Sequence, residues 1–297
     1  MSLIKFEILN SVVELGSLTK AAEHLGLTQS AVSHAISSME SEWGFTLLKR
    51  DRSGISLTSN GERLLKTIRN ILMYNEQLKQ EIALINHLEV GTIKIGTFSS
   101  VSSHWLPAIM KQFQLNFPSI EIKLLEGVEY NELEQRLLDG SVDISFLALP
   151  SVYPFETIAL TKDKICCVLP MNHPLSNKEI ISIEDIKDEP FIMPKWGTDN
   201  DVNRILKAYR TKLNVKYEVV EDQTIMAMVR NGLGVSILPK MAFANFVNGV
   251  KVIDLEGDHY RTIGLATPSL KKLSPATLKF IETLKLFLKE RNIRYNQ

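Results

Sequence analysis

A stretch near the N-terminus, residues 18–37, constrains the fold of this chain more than any other part. It contains two short segments with apolar residues at helical spacing, separated by Gly26, and glycine tolerates the positive φ at which many helices end. Thr19 and Thr28 each stand where the capping hydroxyl of a helix is expected. The pattern predicts two helices joined by one tight turn, a helix-turn-helix.

The second predicted helix has two unlike faces. Val32, Ile36 and Met39 recur at spacings of four and three, which places them on one buried side. The other side and its N-terminal end carry small polar residues that can bind DNA: Thr28, Gln29, Ser30, Ser33, His34 and Ser37. Glutamine can bond adenine through two hydrogen bonds, and serine or histidine can reach base edges or phosphates in the major groove. DNA binding is the prediction, and an ordinary helical hairpin with a polar outer side is the alternative.

Two short extended runs around residues 52–54 predict a β-hairpin, or wing. Its basic residues Arg50 and Arg52, with Ser53 beside them, are expected to reach the DNA backbone or minor groove. A solvated basic loop is the alternative. The charge of the chain is balanced, with 34 Lys and Arg against 34 Asp and Glu. We therefore expect DNA affinity to depend on a few placed phosphate contacts.

A long helix is predicted over residues 59–88, and it carries a strict seven-residue repeat. The positions of this repeat are Leu64, Ile68, Ile71, Asn75, Leu78, Ile82 and Ile85. A spacing that averages 3.5 residues is typical of a coiled coil, and one buried Asn such as Asn75 can fix its register. We predict self-association through this helix. The alternative is a helix packed on its own chain.

Strands and helices alternate from residue 91 onward, which favours a parallel sheet with helices on both faces. The spacing predicts two α/β units, and the chain crosses between them near residues 160–165 and again near 258–263. We expect one lobe from residues 91–161 and 264–297 and a second lobe from residues 162–263. Such lobes would be joined by a hinge and separated by a cleft.

Candidate ligand residues lie where the strands of this region end, which is where open α/β sheets bind ligands. The run Ser99–Ser103 follows a strand and opens a helix, so its hydroxyls and free N–H groups suit a carboxylate or other small anion. Trp196 and Thr198 follow another strand, where Trp196 can stack on an apolar or aromatic ligand. The alternative for the serines is helix capping alone.

Several classes of protein are disfavoured by the sequence. It has no apolar run long enough to span a membrane and no signal-peptide pattern, so we expect a cytoplasmic protein with no membrane partner. The adjacent Cys166 and Cys167 lie in an apolar run and predict buried thiols. The histidines have no metal-ligand spacing, and no nucleophile or phosphate-loop motif is found. We expect no metal, no cofactor and no catalytic residue.

The chain resembles the LysR-type transcriptional regulators over essentially its whole length. The segments that carry the resemblance are 17–22, 27–33, 39–40 with Gly44, 47–50, 57–61 and 232–239. The resemblance implies an α/β fold class with a winged helix-turn-helix in residues 1–58 and a dimerising linker helix in residues 59–90. It further implies a two-lobed effector domain in residues 91–297, similar to a periplasmic binding protein. Such proteins usually form tetramers, bind an inverted repeat near a promoter, and respond to a small molecule.

The resemblance also implies effector contacts at Ser99, Ser100 and the adjacent Val101, and a further one at Glu129. A carboxylate at Glu129 repels a plain anion, so an effector with an amino or hydroxyl group is a second option beside the anion. Two other functions stay open from the sequence. One is an enzyme with its active site in the cleft, and the other is an architectural DNA binder without a ligand.

Two positions of the second helix depart from the family pattern. The family commonly has Pro where this chain has Ser30, and Arg where it has His34. Histidine is shorter than arginine and mostly neutral at pH 7, so one charged DNA contact is lost or altered. The departures bear on the DNA sequence that is preferred and not on DNA binding itself.

Overall fold

The structure is a computed structural model of the 297-residue chain. It describes residues 2–51, 54–86, 88–127, 129–195, 198–243, 247–291 and 293. The chain divides into two compact units. The first unit is Met1–Thr92 with Leu138–Ser141 and Ser274–Ala276, and the second is Ile93–Leu137, Val142–Leu273 and Thr277–Gln297.

The first unit begins with three helices, a hairpin and one long helix. These elements are α1 (Leu3–Leu15), α2 (Leu18–Leu25), α3 (Gln29–Trp43), β1 (Leu48–Asp51), β2 (Gly54–Leu57) and α4 (Ser59–Ile85). Strands β1 and β2 pair antiparallel, with Leu48 opposite Leu57. The predicted helix-turn-helix, wing and long helix are all present, and α4 ends three residues earlier than expected.

The helix-turn-helix has the predicted chemistry at two of the three end positions of α2 and α3 that the sequence singles out. Gly26 has a φ of 66° and ends α2 in the left-handed region, where a side chain would be strained. The Thr28 hydroxyl caps α3 by accepting a hydrogen bond from the Ala31 N–H, at 3.2 Å. The prediction that Thr19 caps α2 is wrong. The Ser17 hydroxyl accepts the Lys20 N–H instead, because α2 begins at Leu18 and its cap must precede it.

One apolar core holds α1, α2, α3 and the start of α4 together. Its most deeply buried members include Leu9, Ala21, Val32 and Ile36, all fully inaccessible to solvent. Glu40 links the end of α3 to the wing, because its carboxylate accepts the N–H groups of residues 47 and 48 at 2.7 and 3.2 Å. The wing is therefore fixed relative to α3 by hydrogen bonds to its first strand.

The remaining helices and strands form a two-lobed α/β region. The helices are α5 (Ser99–His104), α6 (Leu106–Asn116), α7 (Tyr130–Leu138), α8 (Ile183–Ile186), α9 (Thr198–Tyr209), α10 (Asp222–Arg230), α11 (Lys240–Phe243) and α12 (Pro275–Glu290). The strands are β3 (Gly91–Thr97), β4 (Ile120–Glu126), β5 (Ile144–Leu149), β6 (Glu156–Pro170), β7 (Ile180–Ile181), β8 (Pro190–Pro194), β9 (Asn214–Val219), β10 (Ser236–Pro239), β11 (Val250–Leu255) and β12 (Tyr260–Thr267).

Seven of these strands form one sheet in the order β4-β3-β5-β12-β6-β11-β7, and β10 also pairs with β6. Strands β8 and β9 make a separate parallel pair. The expectation of parallel pairing holds for β3 with β5, β11 with β7 and β8 with β9, but the large sheet as a whole is mixed. Strand β12 runs antiparallel to both β5 and β6, and β11 runs antiparallel to β6.

The first expected crossing, residues 160–165, lies within strand β6, and the second, near residues 258–263, contains the start of β12. Strand β6 is 15 residues long and pairs with β12 along the first part of its length and with β11 and β10 along the second. The charged run Lys162-Asp163-Lys164 favours a loop when it is read alone. In β6 the two lysines are exposed and Asp163 is buried, so the run alternates as a strand does.

The lobe that contains the second half of β6 has a core on each side of the sheet. Cys167 packs with Phe191 and Ile237 on one side, and Cys166 packs with Ile192 and Phe243 on the other. Successive residues of a strand point to opposite faces, which explains why adjacent cysteines belong to different cores. The prediction of buried free thiols is confirmed.

Candidate DNA-binding and effector sites

The α3 helix presents the polar face that the sequence predicts. Val32, Ile36 and Met39 are buried. The predicted DNA contacts Thr28, Gln29, Ser30, His34 and Ser37 are exposed, and Ser33 is half-buried. The hydroxyls of residues 28 and 30 lie 3.0 Å apart and share a hydrogen bond, so both are held at the start of the helix. This face is therefore largely exposed, with Ser33 partly covered.

The wing lies directly after α3. Arg50 lies in strand β1, opposite Ile55 of β2. Arg52 and Ser53, also predicted to contact DNA, lie outside the described residues. The roles of these three residues stay predictions.

The predicted coiled-coil positions divide into two groups along α4. Near its start, Leu64 and Ile68 pack against the N-terminal core, and Ile68 is only 3% exposed. Farther along, Ile71, Leu78, Ile82 and Ile85 are 39%, 55%, 50% and 78% exposed. Asn75 lies between them and is half-buried. The second group leaves an apolar stripe on the surface of the chain.

The serine run after β3 uses most of its hydroxyls within the chain. Helix α5 has six residues, and Ser102 and Ser103 both donate hydrogen bonds back to the Ser99 carbonyl. Ser102 also lies 2.5 Å from a carboxylate oxygen of Glu126. Ser99 is exposed, whereas Ser100 and Val101 are buried. The capping alternative is wrong for Ser102 and Ser103, because no side chain caps α5 and both hydroxyls donate within the helix.

Ser100 belongs to a buried network centred on Arg261, the second residue of β12. The Arg261 guanidinium donates to the Ser100 hydroxyl and to the Tyr130 hydroxyl, each at 2.7 Å. Its Nε donates to Asp163 at 2.9 Å, and its Nη2 lies 2.8 Å from the same carboxylate oxygen. The other oxygen of Asp163 accepts the Met241 N–H at 3.0 Å. One guanidinium thus connects α5, α7, β6 and, through Asp163, α11.

The pKa values in this network follow from burial and from the close charges. Burial works to lower the pKa of Arg261, but Tyr130 and Asp163 beside it raise that pKa above its ordinary value. Burial also raises the pKa of the Tyr130 phenol, so this hydroxyl stays neutral. Asp222, the first residue of α10, is nearby and half-buried. Burial raises its pKa to about 6, with a lowering effect from Arg261 and raising effects from Glu221 and Asp163.

The other predicted effector residues are placed as follows. Glu129 is exposed and precedes α7, next to Tyr130. Trp196 lies outside the described residues, and Thr198 begins α9. The sequence prediction missed Tyr130, Asp163 and Arg261. Asp163 and Arg261 could have been found as charged residues at positions where the alternation of a β-strand places buried side chains.

A separate open cavity of about 430 Å³ includes Thr262, the neighbour of Arg261 in β12, in its lining. It lies on the face of β12 opposite to Arg261. Its lining residues are Leu149, Pro150, Ser151, Tyr153, Phe155, Thr157, Ala159 and Thr262. Thr262 follows Arg261 in β12, and neighbouring strand residues point to opposite faces. None of the predicted effector residues lines this cavity.

Comparison with known proteins assigns both parts of the chain. Residues 3–62 match the family described as bacterial regulatory helix-turn-helix protein, lysR family, and residues 86–288 match the LysR substrate binding domain. The chain belongs to the LysR family. Among LysR-family relatives, the uncharacterized regulator YvbU of Bacillus subtilis is 35% identical over 288 residues, covering 96% of this chain and 98% of YvbU.

Solved structures of LysR-family proteins have the same fold. A full-length OxyR variant from Pseudomonas aeruginosa superposes with a TM-score of 0.79, at 23% identity, over 100% of this chain and 99% of that one. Full-length CbnR complexed with its target DNA gives a TM-score of 0.67 at 19% identity, over 97% of this chain and 100% of CbnR. The present chain is thus a LysR-family transcriptional regulator with a helix-turn-helix DNA-binding domain and a two-lobed effector-binding domain. Among the residues described, we find no helix with the length and apolarity that crossing a membrane requires.

Proposed function

We propose that this LysR-family regulator couples a small molecule, bound between the two lobes of its effector domain, to promoter recognition by α3 and the wing. In functional terms, residues 1–58 bind DNA, residues 59–90 dimerise, and residues 91–297 sense the effector. The effector domain is divided into residues 91–161 with 264–297 and residues 162–263. Promoter binding places the protein in the cytoplasm.

The DNA half of the proposal assigns base readout to α3 and backbone contact to the wing. Gln29 and Ser33 face the major groove, and the neighbouring Thr28, Ser30, His34 and Ser37 complete the contact surface. Arg50 and Arg52, with Ser53, contact phosphates. The exposed polar face of α3 and the hydrogen bonds of Glu40 that hold the wing beside it support this assignment.

Self-association is assigned to α4. A second copy of the chain covers the apolar stripe of Ile71, Leu78, Ile82 and Ile85, with Asn75 pairing across the seam. Exposed large apolar side chains at this spacing support a helix-to-helix contact. An inverted-repeat DNA site then matches the two-fold symmetry of the pair, and a tetramer arises from two such pairs.

The observation that carries the effector half is the position of the Ser100 hydroxyl, 2.7 Å from the Arg261 guanidinium. Ser100 and Tyr130 lie in the lobe that contains β3, whereas Asp163 holds Arg261 from the hinge strand β6. A ligand that binds Ser100 in place of Arg261 therefore changes the contact between the lobes. Ser99, Val101, Glu129, Trp196 and Thr198 are the remaining proposed contacts. Asp163 neutralises Arg261, and we assign this site to effector sensing.

The DNA assignment is tested by fluorescence anisotropy on DNA from upstream of the protein's own gene, at two salt concentrations. Gln29→Ala should weaken binding to that DNA but not to a random duplex, because it removes base readout. Arg52→Ala should weaken binding to both DNAs and lower the salt dependence, because it removes a phosphate contact. Equal binding to both DNAs, unchanged by either substitution, would contradict the assignment.

The effector assignment is tested with a reporter gene under the same upstream DNA. Ser100→Ala should abolish the change in expression between growth conditions while leaving DNA affinity in vitro unchanged. Ser102→Ala is the matched control, since its hydroxyl contacts the Ser99 carbonyl and Glu126 and not Arg261. A full response in the Ser100 variant would place the effector elsewhere.

A further inference from the structure

The Arg261 charge is already neutralised inside the proposed effector site. Asp163 and Arg261 are cross-strand partners in the pairing of β6 with β12, and each is 3% exposed. Two donor nitrogens of the guanidinium lie within 2.9 Å of one Asp163 oxygen. Buried charges are held as compensating pairs because an unpaired one is costly away from water. The pair therefore presents no net charge to a ligand.

The other groups bound to the guanidinium are neutral hydroxyls. Ser100 and Tyr130 each accept a hydrogen bond at 2.7 Å, from Nη2 and Nη1. Burial raises the pKa of Tyr130, so its oxygen carries no charge. A ligand that displaces these hydroxyls and is itself neutral leaves the Arg261–Asp163 pair balanced. A carboxylate in the same place adds an uncompensated negative charge.

A further acidic residue, Asp222, lies near the same site. Asp222 lies close enough to Arg261 and Asp163 for both charges to act on its pKa, and Glu221 precedes it at the start of α10. The pKa of Asp222 is about 6, so its carboxyl is mostly charged at neutral pH. A second carboxylate brought to Arg261 would meet this charge as well.

We infer that the effector is an uncharged molecule bearing hydroxyl or amide groups, and not the carboxylate or small anion that the serine run suggests. This inference rests on the proposed effector site around Ser100. It assigns to Asp163 the role of a specificity-determining residue, which sets the charge that the site accepts without having to touch the ligand.

The test uses the full-length protein and three probes of similar size: butyrate, butyramide and 1,3-butanediol. Thermal unfolding is followed at matched ionic strength, and the apparent affinity is taken from the dependence of Tm on probe concentration. In the wild type, butyramide or butanediol should raise Tm and butyrate should not. In Asp163→Asn, Arg261 keeps its charge without a partner, and the apparent butyrate affinity should increase by about tenfold or more.

Asp222→Asn provides a second variant that leaves the ion pair intact, in case Asp163→Asn does not fold by circular dichroism. It should also increase butyrate affinity, because it removes a neighbouring negative charge. Arg261→Gln should abolish the butyrate response of the Asp163→Asn background.

Two outcomes would contradict this inference in different ways. Butyrate stabilising the wild type more than the neutral probes, with loss in Arg261→Gln, would overturn the inference about charge and keep the site. No response to any probe in the wild type and both variants would overturn the site itself, and with it the effector half of the proposed function.

Discussion

The Ser100 hydroxyl accepts a hydrogen bond from Arg261, although the two residues are 161 positions apart in the chain. Ser100 follows the first strand of the effector domain and Arg261 lies on the strand that returns from the second lobe. Ser100 was predicted from the sequence as an effector contact, whereas Arg261 was not.

Breaking the buried Arg261–Asp163 pair should strongly destabilise the fold. Arg261→Met leaves the Asp163 carboxylate buried without its partner, and breaking such a pair costs about 3 to 5 kcal/mol. Arg261→Met combined with Asp163→Leu should cost less than the single substitution, because no charge is left unpaired. Urea unfolding measures both. Lys187→Met, which breaks the exposed pair with Glu184, is the control and should leave the midpoint unchanged.

Asp222 should make the chain less stable as the pH rises from about 4 to about 6. Its pKa is raised from 3.8 in the unfolded chain to about 6 in the fold, so the folded state binds the proton more tightly. The stability that this proton adds is complete below pH 3.8 and is lost as the pH passes 6.

Asp222→Asn removes this titration. The stability of the variant relative to the wild type should therefore increase between pH 4 and pH 7, by on the order of 2 kcal/mol. Urea unfolding at a series of pH values measures the difference, in which the titrations of other groups cancel. A constant difference across this range would show that the carboxyl has an ordinary pKa.

The two cysteines should be unreactive in the native protein. Burial is the main cause that raises the pKa of both thiols, to about 12 for Cys166, where Asp254 adds to the effect. The thiolate is the reactive form, so DTNB should label the native chain slowly and label two thiols in denaturant. Rapid labelling under native conditions would mean that β6 opens readily.

Leu78→Glu should disrupt self-association. Leu78 is 55% exposed in the single chain and lies midway along the apolar stripe of α4, where a charge would be buried by a partner helix. Sedimentation velocity should show a shift to smaller species. Met171→Glu is the matched control, because Met171 is 53% exposed but lies in the turn after β6. Equal behaviour of the two variants would exclude α4 as the main contact.

Local patterns were sufficient for the N-terminal region. The helix-turn-helix, the wing and α4 follow from apolar spacing, capping residues and Gly26, all of which act over a few residues. The error at Thr19 arose because Ser17 and Thr19 are both competent caps, and only the helix start selects between them. The buried face of α3 was likewise readable because helical spacing alone defines it.

In the effector domain, local patterns were sufficient to predict the alternation of strands and helices and the two lobes, and Ser100 stays a predicted ligand position. The antiparallel course of β6 and β12 is seen only in the folded chain, as is the contact of Arg261 with Asp163, Ser100 and Tyr130. The reason is physical. Strand pairing and buried ion pairs depend on residues that are distant in sequence. Without its partner strand, the segment with Asp163 between two lysines has the composition of a solvated loop.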